Sequence, residues 1–208
     1  MSRLVARPVS VIDRHRSVRG DTASGRSLVR QSDLATVVAV GPFDDLEHAN
    51  ELVAMFTGVQ KKCRTQLVLL GRGTHRSLVV RRAAERALQV RLALNEDCAG
   101  PQRSDLLAAA DIVIPSPDSA PTTLVEVMAA GRAVVASAGP ATAALVMPHS
   151  AGLLYRPGDV PAMTAAVVRL LEHPALRNQM GSRASQVARA HRLHMLSQQS
   201  PDDLKKYV

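Results

Sequence analysis

The run Ala35-Thr36-Val37-Val38-Ala39-Val40 ends at Gly41 and is the first of four short apolar stretches that decide the fold. It is continuous in apolar residues instead of alternating with polar ones, which is typical of a strand buried on both faces. Three similar runs follow, at Gln66–Leu70, Asp111–Pro115 and Ala133–Ser137. The four runs therefore predict buried strands of a parallel sheet.

Helical patterns separate and follow these strands. Leu46–Phe56 places its apolar residues at spacings of three and four, which predicts a helix with one apolar stripe. Similar patterns occur at Leu78–Leu88, Thr122–Ala130, Asp159–Glu172 and Ala175–Leu193. Alternating strands and helices predict an α/β fold, a Rossmann-like doubly wound parallel sheet with helices on both faces.

The chain divides into one domain and two tails. Its length of 208 residues is typical of a single domain with an extension. Residues 1–35 have no sustained hydrophobic period and are expected to form an irregular tail or linker. Residues 36–192 are expected to form the domain, and residues 193–208 a C-terminal tail.

Charge and composition argue against several partners. Of the net charge of +8, residues 1–35 carry +4 and the rest carries +4, so the domain holds no concentrated basic surface. Aromatic residues make up 2% of the chain, which leaves no platform for stacking bases. No apolar run is long enough to span a bilayer. We therefore expect a cytoplasmic protein without nucleic-acid partners or an integral membrane segment.

Potential metal ligands are scattered. The two cysteines, Cys63 and Cys98, are expected to be reduced thiols, because neither belongs to a Cys-x-x-Cys or Cys/His cluster. The histidines lack ligand spacing, apart from a close pair that could share a helix face, and are expected to be surface residues: His48, His75, His149, His173, His191 and His194. We expect neither a metal nor a cofactor.

The turns after the first two predicted strands are candidate ligand-binding positions, because ligands of such sheets lie at the carboxyl ends of the strands. They contain Gly41 in the first turn and Gly71 and Gly73 in the second. The dinucleotide motif G-x-G-x-x-G and the phosphate loop with Gly-Lys-Ser/Thr are both absent. Asp44 and Asp45 are explained by capping of the following helix.

The third turn, within Pro115–Gly131, is the most informative. Asp118 or Ser119 is expected to cap the next helix, and Pro121 suits its first turn. Hydroxyls and backbone amides then follow at the positive end of this helix, at Thr122 and Thr123, which is favourable for binding an anion.

Glu126 follows about one turn inside this helix. A carboxylate at that point can accept hydrogen bonds from both hydroxyls of a ribose. The spacing is equally explained by an exposed Glu on a helix surface, so it does not decide between the two interpretations.

The stretch Pro115–Gly131 and the following run Ala133–Ser137 resemble the signature of family 4 (group 1) retaining glycosyltransferases of the GT-B fold. That signature consists of Pro-Ser, Glu-x7-Glu, Ala-Met-Ala-x-Gly and an apolar strand. Three outlying segments also resemble the family: Gly71–Gly73, Asp105–Asp111 and Gly152–Asp159. The resemblance covers roughly residues 36–192.

The resemblance implies the C-terminal, donor-binding half of a GT-B enzyme, whose ligand is a nucleoside diphosphate sugar. Glu126 takes the place of the family's ribose-binding Glu. Asp118 takes the place of the Glu that contacts the donor sugar, and is one methylene shorter. The helix start at Pro121, Thr122 and Thr123 takes the place of the diphosphate-binding backbone. The implied reaction transfers the sugar with retention of anomeric configuration and needs no metal.

The chain departs from the family pattern in its charges. Pro42 stands where the family has an Arg, and acidic residues including Glu47 follow where it has a Lys. No Lys or Arg occurs between Gly41 and Lys61, although such cations neutralise the leaving diphosphate. The family's Gly-Gly-x-x-Glu loop is also degraded, at residues 139–144.

The length has room for only one of the two GT-B halves. Three functions therefore stay open. The first is a glycosyltransferase donor domain, working with a separate acceptor-domain chain or as a homodimer. The second is a non-catalytic interaction module derived from a glycosyltransferase. The third is a sugar-nucleotide epimerase of the same architecture, which the Glu-x7-Glu context favours less.

Overall fold

The computed structural model describes residues 9–12, 34–93 and 101–198. Within these residues seven strands form one sheet in which every pairing is parallel. The strands are β1 (Val9–Ile12), β2 (Ala35–Val40), β3 (Thr65–Leu70), β4 (Val90–Ala93), β5 (Ile112–Pro115), β6 (Ala133–Ser137) and β7 (Gly152–Tyr155).

Seven helices connect or follow these strands in the described part of the chain. They are α1 (Leu46–Gln60), α2 (Arg76–Glu85), α3 (Pro101–Ala109), α4 (Pro121–Ala129), α5 (Pro140–Val146), α6 (Val160–Glu172) and α7 (Pro174–Gln198). None of these helices is long and apolar enough to cross a membrane.

The strand order is β1-β4-β3-β2-β5-β6-β7. From β2 the chain winds outward through β3 to β4, then returns to place β5 on the other side of β2. The six strands from β2 to β7 thus have the order of a Rossmann fold, with β1 added at one edge. β2 and β5 run side by side from Val37 opposite Ile112 to Val40 opposite Pro115. Their carboxyl ends therefore form the switch point where this fold binds ligands.

The core consists of two apolar layers, one on each face of the sheet. Successive side chains of β2 point to opposite faces, so Val37 and Ala39 contact one layer while Val38 and Val40 contact the other. Helices α1, α2 and α6 cover the first layer, and α3, α4 and α7 the second. The prediction of a doubly wound parallel sheet is confirmed.

Three strands were not predicted from the sequence. β4 and β7 are only four residues long, and β7 has a mixed burial that gives no continuous apolar run. β1 lies inside the segment predicted as an irregular tail, where Val9–Ile12 pairs with Val90–Ala93. The remainder of residues 1–33 lies outside the described residues, as do residues 199–208. Helix α7 continues to Gln198 and so enters the segment 193–208 predicted as a C-terminal tail.

Helix α7 approaches the turn before β6 closely enough to require a glycine. A Cβ atom added to Gly181 would lie 2.4 Å from the carbonyl oxygen of Gly131. Because that oxygen belongs to the backbone of the turn that leads into β6, it cannot move aside without moving the start of β6. The contact fixes how α7 lies across the second layer.

We expect Gly181→Ala to destabilise the protein by about 2 kcal/mol, since overpacking of this kind typically costs 1–3 kcal/mol. Alanine is the better helix former by about 1 kcal/mol, so a net loss must come from the clash. Urea denaturation measures the difference. The control is Ser182→Ala, at the neighbouring exposed position, where we expect a change within about 0.5 kcal/mol. Equal stability of the two variants would contradict the packing role of Gly181.

Candidate functional site

The loops after β2 and β3 interlock at the carboxyl edge of the sheet. The amide of Phe43 donates to the carbonyl of Arg72 at 2.8 Å, and the amide of His75 donates to the carbonyl of Phe43 at 2.9 Å. The Asp44 carboxylate accepts a bond of 2.8 Å from the amide of Thr74. Because the backbones bond directly, the two loops form one surface.

The three glycines predicted in these turns make this close approach possible. A Cβ on Gly41 would lie 2.8 Å from the Arg72 carbonyl oxygen, and a Cβ on Gly71 would lie 3.0 Å from the nitrogen of Gly41. Gly73 has a φ of +149°, and a Cβ there would lie 2.3 Å from the nitrogen of Phe43. The structure brings the three glycines together, and loop-to-loop packing already accounts for them.

Helix α1 begins directly behind these loops. Asp45 caps it by accepting a bond of 2.8 Å from the amide of Glu47, as the sequence predicted. Asp44 instead bonds the neighbouring loop, through the amide and the hydroxyl of Thr74. The first turn of α1 therefore presents carboxylates and no cation to the carboxyl edge of the sheet.

The loop between β5 and α4 leans on the first of these loops. The amide of Ser116 donates to the Val40 carbonyl at 2.8 Å, and the Ser119 hydroxyl faces the Gly41 carbonyl at 3.4 Å. The predicted cap by Asp118 or Ser119 is wrong: the N-cap of α4 is Ala120, and no side chain caps the helix. The hydroxyl of Ser119 is committed to the other loop, and Asp118 is exposed.

Pro121 occupies the first turn of α4, as predicted. No side chain caps this helix and Pro121 has no amide hydrogen, so the amide of Thr122 is left for water or for a bound anion. Thr122 is exposed, and Thr123 is partly buried with its amide bonded to the carbonyl of Ala120.

A cavity of about 320 Å³ opens between the β5–α4 and β6–α5 loops. Its walls include Ser116, Ser119 and Pro121 on one side, and Ser137 and Thr142 on the other. No charged side chain lines it. Of the predicted site residues, only Pro121 contributes to this wall, and neither Asp118 nor Glu126 does.

Glu126 lies on α4 with its side chain 38% exposed. Its Oε1 atom lies 2.6 Å from Nε of Arg103, near the start of α3. Sequence analysis did not identify Arg103, because no motif singles it out. The ion pair neutralises the carboxylate, and its Oε2 atom has no hydrogen bond to any other described residue.

A group of buried polar side chains lies under the same edge. His48, expected at the surface, is only 2% exposed, and its Nδ1 lies 3.4 Å from Oε2 of Glu51. Oε1 of Glu51 accepts a bond of 2.7 Å from the amide of Gly158, which follows β7. Burial lowers the pKa of His48 against the opposing effect of Glu51. Burial also raises the pKa of Tyr155, at the end of β7.

Three buried polar atoms at this edge have no hydrogen-bond partner among the described residues: Nε2 of His48, Oγ of Ser116 and Oη of Tyr155. Buried polar groups are bonded in the great majority of proteins, so such atoms indicate positions where water or a ligand binds. His48 lies on the helix after β2 and Ser116 follows β5, the two strands of the switch point, whereas Tyr155 ends the edge strand β7. Sequence analysis missed His48 and Tyr155, because burial is not readable from an isolated residue.

The described residues contain no group of three His, Cys, Asp or Glu side chains that could hold a metal ion. A second, larger cavity of about 650 Å³ lies between α7 and the segment before β7, with His149, Arg183 and His191 in its wall. It lies toward the amino ends of the strands, away from the switch point. Cys63 is partly buried, and burial raises the pKa of its thiol.

A doubly wound parallel sheet with this strand order defines a Rossmann-like α/β domain. The family profile described as "Glycosyl transferases group 1" matches residues 35–173, more than half of the chain. The chain belongs to this family. No curated protein sequence matches the chain at a significant level.

Solved glycosyltransferase structures share the fold. HepE from Anabaena, solved with UDP and glucose, matches with a TM-score of 0.65 at 20% identity over 81% of this chain and 48% of that one. Sucrose-phosphate synthase from Thermosynechococcus elongatus matches with 0.63 at 25% identity, over 80% of this chain and 43% of that one.

The catalytic domain of cholesterol-α-glucosyltransferase from Helicobacter pylori matches with a TM-score of 0.63 at 15% identity, over 76% of this chain and 98% of that one. The chain thus spans less than half of the synthase and of HepE. The GT-B glycosyltransferase fold predicted from the sequence is confirmed.

We expect Gly73→Ala to lower the free energy of unfolding by about 3 kcal/mol or more, because strain in φ adds to a clash with backbone. The matched control is Gly158→Ala, since Gly158 has a φ of +82° but no atom within 4 Å of an added Cβ. We expect about 1 kcal/mol there, from strain alone. Urea denaturation measures both. If the two variants lose the same amount, the loops do not interlock as described.

Proposed function

We propose that the chain binds a nucleoside diphosphate sugar at the switch point and acts as the donor-binding part of a retaining glycosyltransferase. The observation that carries this proposal is the uncapped start of α4, where Pro121 lines the cavity between the β5–α4 and β6–α5 loops and Glu126 follows about one turn along the same helix.

The proposed arrangement gives each part of the donor a partner. Oε2 of Glu126 would accept hydrogen bonds from the ribose hydroxyls, while Arg103 holds Oε1 and fixes the carboxylate. The amide of Thr122 at the start of α4, together with the hydroxyls of Thr122 and Thr123, would bind the diphosphate. The uncharged, hydroxyl-lined cavity has the chemistry to bind a sugar, and Asp118 lies on the adjoining loop.

In the proposed reaction the bond between the anomeric carbon and the diphosphate breaks, and a bond to an acceptor oxygen forms on the same face of the sugar. The nucleoside diphosphate leaves with the bonding electrons, and the acceptor hydroxyl passes its proton to the leaving phosphate oxygen. The acceptor is bound by a second half of the enzyme, supplied by a separate chain or a second copy. HepE and sucrose-phosphate synthase, of which this chain spans less than half, support this division.

The absence of cations at Pro42 and Glu47 favours a second candidate, a non-catalytic module that keeps the glycosyltransferase fold for its interaction surface. Loss of positive charge weakens stabilisation of a leaving diphosphate, which is usually a large part of catalysis. Nucleotide binding distinguishes the two candidates. No structural feature specifically favours the epimerase.

We expect UDP, GDP or ADP to bind saturably when each is titrated into the protein in a calorimeter. Glu126→Gln should weaken the binding at least about tenfold, since a hydrogen bond to a charged group contributes about 1.5–3 kcal/mol. The control is Glu85→Gln, which removes the same charge from an exposed residue of α2 that faces Arg86.

Unchanged affinity in Glu126→Gln would contradict the placement of the ribose. No binding of any nucleotide at millimolar concentration would contradict donor binding altogether and favour the non-catalytic module. If binding is found, transfer of labelled sugar to an acceptor in the presence of the missing half tests the reaction itself.

A further inference from the structure

A cavity rich in hydrogen-bond donors lies at the amino edge of the sheet, away from the switch point. It has a volume of about 650 Å³ and opens between α7 and the segment before β7. Five side chains with N–H groups line it: His149, Arg183, Gln186, His191 and His194. The rest of its wall is apolar and consists of Leu145, Val187 and Ala190. No carboxylate of the described residues contributes to this wall.

Two separate elements build the wall. On α7, Arg183, Val187, His191 and His194 follow one another at spacings of four, four and three, so they lie on one side of the helix. His149 comes from the segment between α5 and β7 and lines the same cavity. The cavity is therefore formed between packed elements and is not simply the polar face of one exposed helix.

The positive charge of this region is not offset by carboxylates. Residues 127–158 and 173–198 include the whole wall, and they contain six arginines and no Asp or Glu. On the same helix, Arg177 pairs at 3.1 Å with Asp111 from another part of the chain. Arg183 forms no ion pair with any residue that the structure describes. The wall therefore carries a cation that no neighbouring carboxylate neutralises.

This set of groups favours a phosphate as the ligand. The charged oxygens of a phosphate accept hydrogen bonds, and a guanidinium donates to them with the strength of a charge-assisted bond. A neutral imidazole still donates one N–H, and the amide of Gln186 donates two. A metal ion fits less well, since the described residues contain no group of three His, Cys, Asp or Glu that could hold one.

Apolar side chains in and beside the wall favour a ligand that also has an apolar part. Leu145 and Val187 belong to the wall itself. Met147, two residues before His149, is 66% exposed, and Leu193, next to His194, is 61% exposed. A ligand with an apolar chain would remove such surface from water, which is favourable.

We propose that this cavity binds an amphiphilic phosphate, a molecule in which a phosphate group is attached to an apolar chain. Arg183 binds the phosphate, and the histidines and Gln186 donate to its other oxygens. The apolar chain packs against Leu145 and Val187. The phosphate belongs either to a membrane lipid or to a soluble amphiphile. Because the cavity lies away from the switch point, this site is independent of the proposed nucleotide sugar.

The test is titration with dihexanoyl phosphatidic acid, a short-chain lipid that dissolves as single molecules. Calorimetry gives the affinity, and NMR of the histidine rings locates the binding. A salt concentration of about 0.15 M, where the Debye length is about 8 Å, screens the attraction of the lipid to the seven arginines of residues 1–33. We expect saturable binding that shifts the ring signals of His149 and His191 and leaves those of His75, at the carboxyl edge, unchanged.

Arg183→Gln should weaken the binding at least about tenfold, the usual effect of losing a charge-assisted hydrogen bond. The matched control is Arg189→Gln, which removes the same charge from an exposed position of α7 outside the wall. We expect its affinity to stay within about twofold, because exposed charges are screened. A second pair adds a carboxylate at exposed positions of the same helix: Ala190→Glu, in the wall, should abolish binding, whereas Ser182→Glu, outside it, should not.

Sedimentation with vesicles distinguishes the two sources of the phosphate. Tighter binding to phosphatidylcholine vesicles that contain long-chain phosphatidic acid than to the dispersed lipid, lost in Ala190→Glu, assigns the site to a membrane headgroup. Binding of the dispersed lipid without binding to these vesicles assigns it to a soluble amphiphile. Inorganic phosphate that binds as tightly as the dispersed lipid would contradict the role of the apolar chain.

Two results would overturn the proposal as a whole. One is no binding of phosphatidic acid in either form. The other is an equal loss of affinity in Arg183→Gln and Arg189→Gln, which would indicate attraction to the net charge of the protein and not to the cavity. Nucleotide binding at the switch point is measured separately, so either result leaves the proposed function intact.

Discussion

The position of β2 between β3 and β5 is the constraint on which the rest of the structure depends. β2 is hydrogen-bonded on both sides and buried on both faces, so every atom of its backbone is fixed by its neighbours. The chain leaves it toward β3 and returns beside it as β5. The loops after these three strands are therefore forced together, and that meeting creates the candidate site.

Glycines allow the loops after β2 and β3 to pack closely, and buried polar side chains lie at the same edge of the sheet. Gly71 and Gly73 admit the first loop at distances that no Cβ would permit. Under the meeting point lie His48 and Glu51, held by the turn at Gly158. The carboxyl edge thus combines loops with closely packed backbones and a buried pair, His48 and Glu51, in which Nε2 of His48 has no partner among the described residues. Among the described residues, Cys63 is a free cysteine and no group of side chains could hold a metal ion, so neither a disulfide nor a metal stabilises these two features.

The central strands, the main helices and the fold class were predictable from sequence, because continuous apolar runs and spacings of three and four are local signals. β1, β4 and β7 were not, since these short strands lack the continuous apolar run that made the equally short β5 recognisable. The cap of α4 was predicted wrongly, because Ser119 bonds a carbonyl 78 residues away in sequence. Competition from distant partners is invisible in a local pattern.

The sequence by itself determined the doubly wound architecture, the glycosyltransferase signature and the lack of cations after Gly41, because each is a property of residue order. Only the tertiary structure decided that His48 is buried beside Glu51 and that Glu126 is paired with Arg103. Glu126 and Arg103 belong to different helices. His48 and Glu51 belong to the same helix, but their burial depends on the elements that cover its face. Packing of the whole sheet sets both, so no stretch of sequence specifies them alone.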